Sequence, residues 1–229
     1  MRGYFESYKD IQKIRIAIGN QLRAENSDQA RKFVKEKIYD QLYRIEKSYV
    51  AFIRSNLKYE PIYTQWLKDV KGIGPVLSAV LISYIDVSKF PTISKLWRYA
   101  GLGVTNGLAE RRKKGEKAHF NPKLKTLCYL IGMSFIRNGE GYRKLYDKFK
   151  EEYKEKWKDG CPSPVCQKNG ICSENHKHMA ALRKTVKVFL AHYWMEGRRL
   201  KGLSCETPYI IGKEGHSHLI EVIRDKSQA

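Results

Sequence analysis

The chain of 229 residues sets 44 Lys and Arg against 24 Asp and Glu, a formal net charge of +20, and its pI is near 9.7. Its 42% hydrophobic residues are ample for a core, which excludes wholesale disorder, and the length allows one large domain or two small ones. The positive excess points to a polyanion, most simply nucleic acid, bound through phosphates and released by salt. A membrane surface is the competitor. No run approaches the roughly 20 apolar residues of a spanning helix, however, and the opening MRGYFESYKD lacks the apolar stretch of a signal peptide. A cytoplasmic protein with no membrane partner is the expectation.

Residues 1–60 read as two helical stretches. In the first, Ile11, Ile14, Ile18 and Leu22 share a face, and the pattern stops at residues 24–28, where Ser27 or Asp28 can cap a second helix. In the second, Ile38, Leu42, Ile45, Tyr49 and Phe52 recur at alternating steps of four and three, a heptad-like seam whose other faces are charged. An antiparallel helical hairpin is the minimal reading, and a coiled coil that makes a homodimer is the sharper one. Pro61 marks the end of the second stretch, because the residue before a proline avoids the α region.

Residues 62–69 then form the first helix of a turn-centred motif, VKGIGPVLSAVLISYI, over residues 70–85. Gly72 and Gly74 flank Ile73 and permit a positive φ or the close approach of another molecule. Pro75 suits the first turn of the next helix, where its missing N–H costs nothing. Amides here favour an anion. This is the helix-hairpin-helix pattern, in which Lys71, Gly72, Ile73 and Gly74 would hold a phosphate without reading sequence. The bland alternative is a tight turn between two core helices. Beyond it Phe90-Pro91 breaks the chain, Thr92 or Ser94 can cap a short helix carrying Leu96, Trp97 and Tyr99, and Gly101 ends it.

The most basic loop comes next, GLAERRKKGEKAHFNPKLK. Arg111, Arg112, Lys113, Lys114, Lys117, Lys123 and Lys125 stand there against Glu110 and Glu116. A charge run is usually a solvated face, but this one succeeds the glycine turn in a strongly cationic chain, so the stretch from Arg111 to Lys117 is a candidate for phosphate contact. Residues 125–136 read as a buried helix containing Cys128. The next helix puts Tyr142, Leu145, Tyr146, Phe149, Tyr153 and Trp157 on its apolar side. Aromatics interleaved with lysines can stack on bases, but at this spacing they read as core.

CPSPVCQKNGICSENHKH carries the sharpest chemical signal. Cys161, Cys166 and Cys172 precede His176 and His178 in a C-x4-C-x5-C-x3-H-x-H pattern. Three thiolates and one imidazole make a closed tetrahedral set suited to structural Zn2+. A disulfide is disfavoured, since three clustered cysteines leave one over. His176 has the tighter spacing and His178 is the alternative ligand. HMAALRKTVKVFLAHYW reads as an amphipathic helix with Leu182, Val186, Phe189 and Leu190 inward and Arg183, Lys184 and Lys187 outward; His192 is a surface or packed residue. The tail, with Pro208 and several glycines, reads as an extended arm in which His216, His218 and Cys205 form a poorly spaced second metal candidate.

The string DVKGIGPVLSAVLISYIDVSKFPTISKLWRYAGLG, together with HMAALRKTVKVFLAHYW and PYIIGKEGHSHLI, resembles the C-terminal transposase domain of the Piv-type insertion-sequence transposases, the bridge-RNA-guided family, in its archaeal form. The shared features are the GIGP turn, the S-K-F-P-T step, the Y-A-G-L turn and a basic loop before a helix. The likeness runs from Tyr63 to the C-terminus, and the preceding hairpin resembles that family's coiled-coil linker. Two departures matter. Full-length members carry an N-terminal RuvC-like nuclease domain with four acidic residues, for which this chain has no room. They also carry a serine nucleophile shortly after A-G-L, whereas this loop reads GVTNGLAERRKKG and offers only Thr105, bulkier and without an evident base. The resemblance thus implies DNA binding more securely than cleavage.

The expected fold is all-α: a helical hairpin or coiled coil over 1–60, then a helix-hairpin-helix, transposase-like domain over 61–229 with a zinc insert at 161–178. The expected function is DNA binding in transposition or recombination, without strand cleavage of its own. Alternatives are a recombinase subunit with Thr105 as nucleophile and a RuvC-like partner in trans, a module for structured RNA, and a helical adaptor that binds proteins.

Overall fold

The computed structural model describes residues 2–105, 108–112, 115–161, 163–169, 172–205 and 221–223. It is mostly helical, with one two-stranded antiparallel ribbon among the described residues. No described helix is long and apolar enough to cross a membrane. The chain divides into two compact units, one of residues 1–60 and 75–84, the other of residues 61–74 and 85–229.

The first unit contains α1 (Arg2–Ala24), α2 (Asp28–Val34), α3 (Asp40–Leu57) and α5 (Pro75–Tyr84). Ser27 starts α2 as its sequence suggests, its hydroxyl accepting from the Ala30 amide at 3.3 Å. Between α2 and α3 the helix widens into a π turn at Lys35–Tyr39, with helical backbone on either side. α1 and α3 run antiparallel, tied by a polar cluster around the buried Glu46. Arg15, Gln12 and the Tyr8 hydroxyl all donate to that carboxylate. Burial pushes Glu46 up, but the hydrogen bonds from Arg15 and Gln12 outweigh it and hold the group below the ordinary carboxylate range. α5 packs against both helices, and the Tyr84 hydroxyl reaches Glu6 at 3.5 Å.

The face that α3 buries coincides only in part with the heptad seam, of which Leu42 and Tyr49 are half-buried. Glu46, Ile53 and Leu57 are buried, while Ile38, Ile45 and Phe52, each seven residues from the next, are 39%, 44% and 45% exposed. α5, which the sequence makes the second helix of the turn-centred motif, packs against α1 and α3.

The second unit is organised on α10 (Glu174–Leu200), a 27-residue helix against which α4 (Pro61–Gln65), α6 (Ile93–Tyr99), α7 (Pro122–Asn138) and α8 (Tyr142–Lys156) pack. Leu182, Val186, Phe189 and Leu190 are buried, as their spacing predicts. Around Phe189 stand Trp66, Phe135 and Tyr142, with ring centroids 5.2–5.7 Å away. His192 proves to be fully buried, its Nδ1 hydrogen-bonded to the Tyr142 hydroxyl at 2.7 Å. Asn121 caps α7 through the Leu124 amide, and Gly139, with φ of +80°, closes it. Cys128 lies in the core, where burial pushes its thiol up to about 12. Most of the tail, including His216 and His218, lies outside the described residues.

Gly132 is a close approach of α7 to α10. A Cβ built there would stand 2.6 Å from Leu182 Cδ1 and 3.0 Å from Val186 Cγ2, both on buried side chains. Gly132→Val should therefore destabilise the fold by about 1–3 kcal/mol through overpacking, read as a lower urea midpoint at unchanged slope.

Candidate functional site

Four donors converge where α8 gives way to α10. Cys161 comes after the end of α8, Cys166 sits on α9 (Pro164–Asn169), Cys172 precedes α10, and His176 lies in that helix's first turn. Their ligand atoms all lie within 4.8 Å of one another. His176 Nδ1 stands 3.4, 3.1 and 3.5 Å from the sulfurs of Cys161, Cys166 and Cys172. The start of α10 is held by Ser173, whose hydroxyl accepts from the His176 amide at 3.2 Å. Trp157 stacks on the His176 ring at 5.0 Å between centroids, and Tyr153 and Ala180 pack against the same cluster.

The donor set fits a metal ion. Metal–sulfur bonds near 2.3 Å and metal–nitrogen bonds near 2.0–2.1 Å in a tetrahedron place sulfur and nitrogen about 3.6 Å apart, close to the spacings found. Without a cation the sulfurs resist sharing negative charge. Burial, and then the neighbouring Cys161 and Cys166, push the Cys172 thiol up to about 12, while a hydrogen bond with Cys161 holds Cys166 below its ordinary value. His178, two residues further round the helix, is engaged elsewhere: its Nδ1 bonds the Tyr146 hydroxyl at 2.7 Å, with the two rings edge to face.

The glycine turn is built differently from a symmetric clip. Gly72 has φ of +88° and packs on α7, where a Cβ would stand 3.1 Å from Phe135 Cδ1 and 3.4 Å from the Ser134 backbone. Its carbonyl accepts from the Ser134 hydroxyl at 2.7 Å. Ile73 is buried, and its amide donates to the Val70 carbonyl at 3.1 Å. Gly74 is exposed, and a Cβ added to it would meet no described atom within 4 Å. Lys71 pairs with Glu140 at 3.1 Å, both side chains largely in water.

The basic loop begins in a short ribbon, β1 (Val104–Thr105) paired antiparallel with β2 (Leu108–Ala109). Arg111, Arg112 and Lys117 are exposed; Lys113, Lys114 and the Thr105 side chain lie outside the described residues. Two cations nearby are internal ties. Lys125 donates to the Glu110 carbonyl at 2.6 Å and covers the Phe120 ring, and burial, then Arg183, pulls it below the ordinary lysine range. Arg183 donates to the carbonyls of Leu102 and Gly103 at 2.7 and 2.6 Å. Its place on the polar stripe of α10 predicts an outward residue; only the ribbon folding back over that stripe makes it a brace, and nothing local in the sequence signals this.

Residues 64–147 match the Transposase IS116/IS110/IS902 family, consistent with the C-terminal transposase domain of its members. No curated protein and no solved structure matches the chain. The matched stretch contains the glycine turn and the basic loop but ends before the Cys/His cluster.

The two histidines can be told apart by substitution. His176→Ala should lower bound metal to well below one equivalent per chain, whereas His178→Ala should keep it, as read by elemental analysis and by the thiolate charge-transfer bands of a cobalt-substituted sample. Retention by the first and loss by the second would reverse the ligand assignment.

Proposed function

We propose that this chain is a DNA-binding protein of transposition or recombination that holds duplex phosphates through the Gly72–Gly74 turn and the Arg111–Lys117 loop, with no strand cleavage of its own. The observation that carries the reading is the transposase-family match, because both phosphate-binding candidates lie inside residues 64–147. The net charge of +20 supports the same kind of partner. In the helix-hairpin-helix reading the amides of Gly72 and Gly74 face the phosphate, while Ile73, its amide already bonded to Val70, anchors the turn. Lys71 adds charge by exchanging Glu140 for a phosphate, at little cost because exposed ion pairs are weak. Arg111, Arg112, Lys113, Lys114 and Lys117 extend the contact along the backbone. Such binding is strongly salt-dependent and nearly blind to base sequence.

The four-donor cluster holds Zn2+ in a structural role. Three thiolates and one imidazole leave no coordination position for substrate, and soft sulfur donors select zinc over magnesium or calcium. The ion would tie the end of α8 to the first turn of α10 across a loop with little core of its own.

Gly74 gives the cleaner test of the turn, since Gly72 is bound into the packing of α7. Gly74→Val should leave the thermal midpoint and metal content as they are and weaken duplex DNA binding by roughly tenfold or more, the loss of one or two charge-assisted hydrogen bonds. Wild-type affinity in a gel-shift titration would sink the claim for the turn.

The exposed row of Ile38 in the π turn and Ile45 and Phe52 on α3 favours a homodimer through the N-terminal helices, because a seven-residue repeat is the spacing at which a second helix docks. Sedimentation should show a dimer that Ile45→Lys converts to a monomer with unchanged helix content. A monomeric wild-type chain at tens of micromolar would refute it.

A further inference from the structure

Between α6, the ribbon and α10 lies a cavity of about 380 Å³, within the size range of small-ligand sites. Lys95, Arg98 and Lys187 line it, along with Trp97, Gly103 and Val104, and among the described residues no carboxylate does. Lys187 is half-buried, and its ammonium sits 4.1 Å from the centre of the Trp97 ring. That ring is itself fixed by Lys187, whose carbonyl accepts the indole N–H at 3.1 Å. One residue thus holds the ring by its backbone and lies over it by its side chain, which aims the charge into the cavity instead of letting it sweep through water. Cation–π contact offsets part of the lost hydration, yet burial and then Arg183 still push the Lys187 ammonium down to about 8. The Glu110 carboxylate packs against Gly103, and its charge bears on Lys125 and Arg183.

Three cations around one concavity, one of them drawn out of water, present an arrangement that an entering anion relieves. We propose that this cavity is a further phosphate subsite, in which Lys187, Arg98 and Lys95 take a phosphodiester of the bound nucleic acid at a place separate from the glycine turn and the basic loop. The inference rests on the nucleic-acid reading above and adds to it a third point of contact, on α6 and α10. Lys187 and Arg98 would touch the phosphate; Trp97 is a positioning residue. α10 lies outside the stretch that matches the transposase family, so the subsite joins the matched segment to a helix beyond it.

The test uses the full chain with its metal, and Lys187→Gln, Arg98→Gln and Lys187→Arg, titrated with duplex DNA and with a folded RNA at several salt concentrations. Arg98 is exposed, so its substitution guards against a folding artefact at the half-buried lysine. Each glutamine variant should weaken binding evenly across sequences and lower the slope of log affinity against log salt by about 1, the signature of one lost phosphate contact. Lys187→Arg should keep most of the affinity. The polyanion on which the slope changes identifies the source of the phosphodiester. If the wild-type chain binds and both glutamine variants match it in affinity and slope, the subsite is wrong and the turn and loop stand. If the wild-type chain binds neither nucleic acid, the broader reading fails and the subsite fails with it.

Discussion

A helix buried for most of its length has nowhere to leave a polar group unsatisfied, and α10 meets that constraint residue by residue. The Thr185 hydroxyl donates back to the Ala181 carbonyl at 2.9 Å, and His192 meets the Tyr142 hydroxyl. Arg198 is buried with its guanidinium spread over the carbonyls of Ser204, Val87 and Phe90. Two indoles are satisfied in the same way: Trp97 donates to Lys187 on α10, and Trp194 on α10 donates to Phe90 at 2.6 Å. An unpaired buried donor costs on the order of 1–3 kcal/mol, so each of these bonds fixes where a loop must run. The turns at residues 87–90, the ribbon approach at 102–103 and the chain after α10 are positioned by the polar needs of one helix.

The helices themselves were legible because their signals are local. Ser27, Asn121 and Gly139 sit at the ends their chemistry suggests, and the core spacing of α10 appears as written. The four metal donors were legible for a related reason: three cysteines and a histidine within sixteen residues have few other uses. The choice between His176 and His178 needed structure. Both lie on the same helix, and only the position of Tyr146 on α8, some thirty residues earlier in the chain, shows that His178 is occupied.

What could not be read was the partner of each helical face. The seam from Ile38 to Phe52 has a sound heptad rhythm, yet its Ile38, Ile45 and Phe52 stay exposed while Glu46, gripped by Arg15 and Gln12, turns inward with Ile53 and Leu57. Periodicity reports that a stripe exists and is silent on what covers it. The same silence hid Arg183 and Lys187, which look like solvent-facing charges until the ribbon and Trp97 fold over them. The glycine turn stood in between. Its conformation was legible from Gly72, but the asymmetry between a packed Gly72 and an open Gly74 depends on α7, some sixty residues away.

The course of the chain around that turn bears on how the molecule can be taken apart. Residues 61–74 belong to one unit, α5 to the other, and residue 85 onward to the first of these again, so the backbone passes between units twice within a short span. A fragment that starts at residue 61 therefore carries α5 away from α1 and α3, stranding Ala79, Val80 and Leu81 without the helices that α5 packs against. A fragment limited to 64–147 would in addition lack α10, the support of α7 and α8. The family-matched segment is thus a region of sequence and not an autonomous module: its helices pack on elements from both flanks, and dissecting this protein by truncation would report on broken folding before it reported on binding.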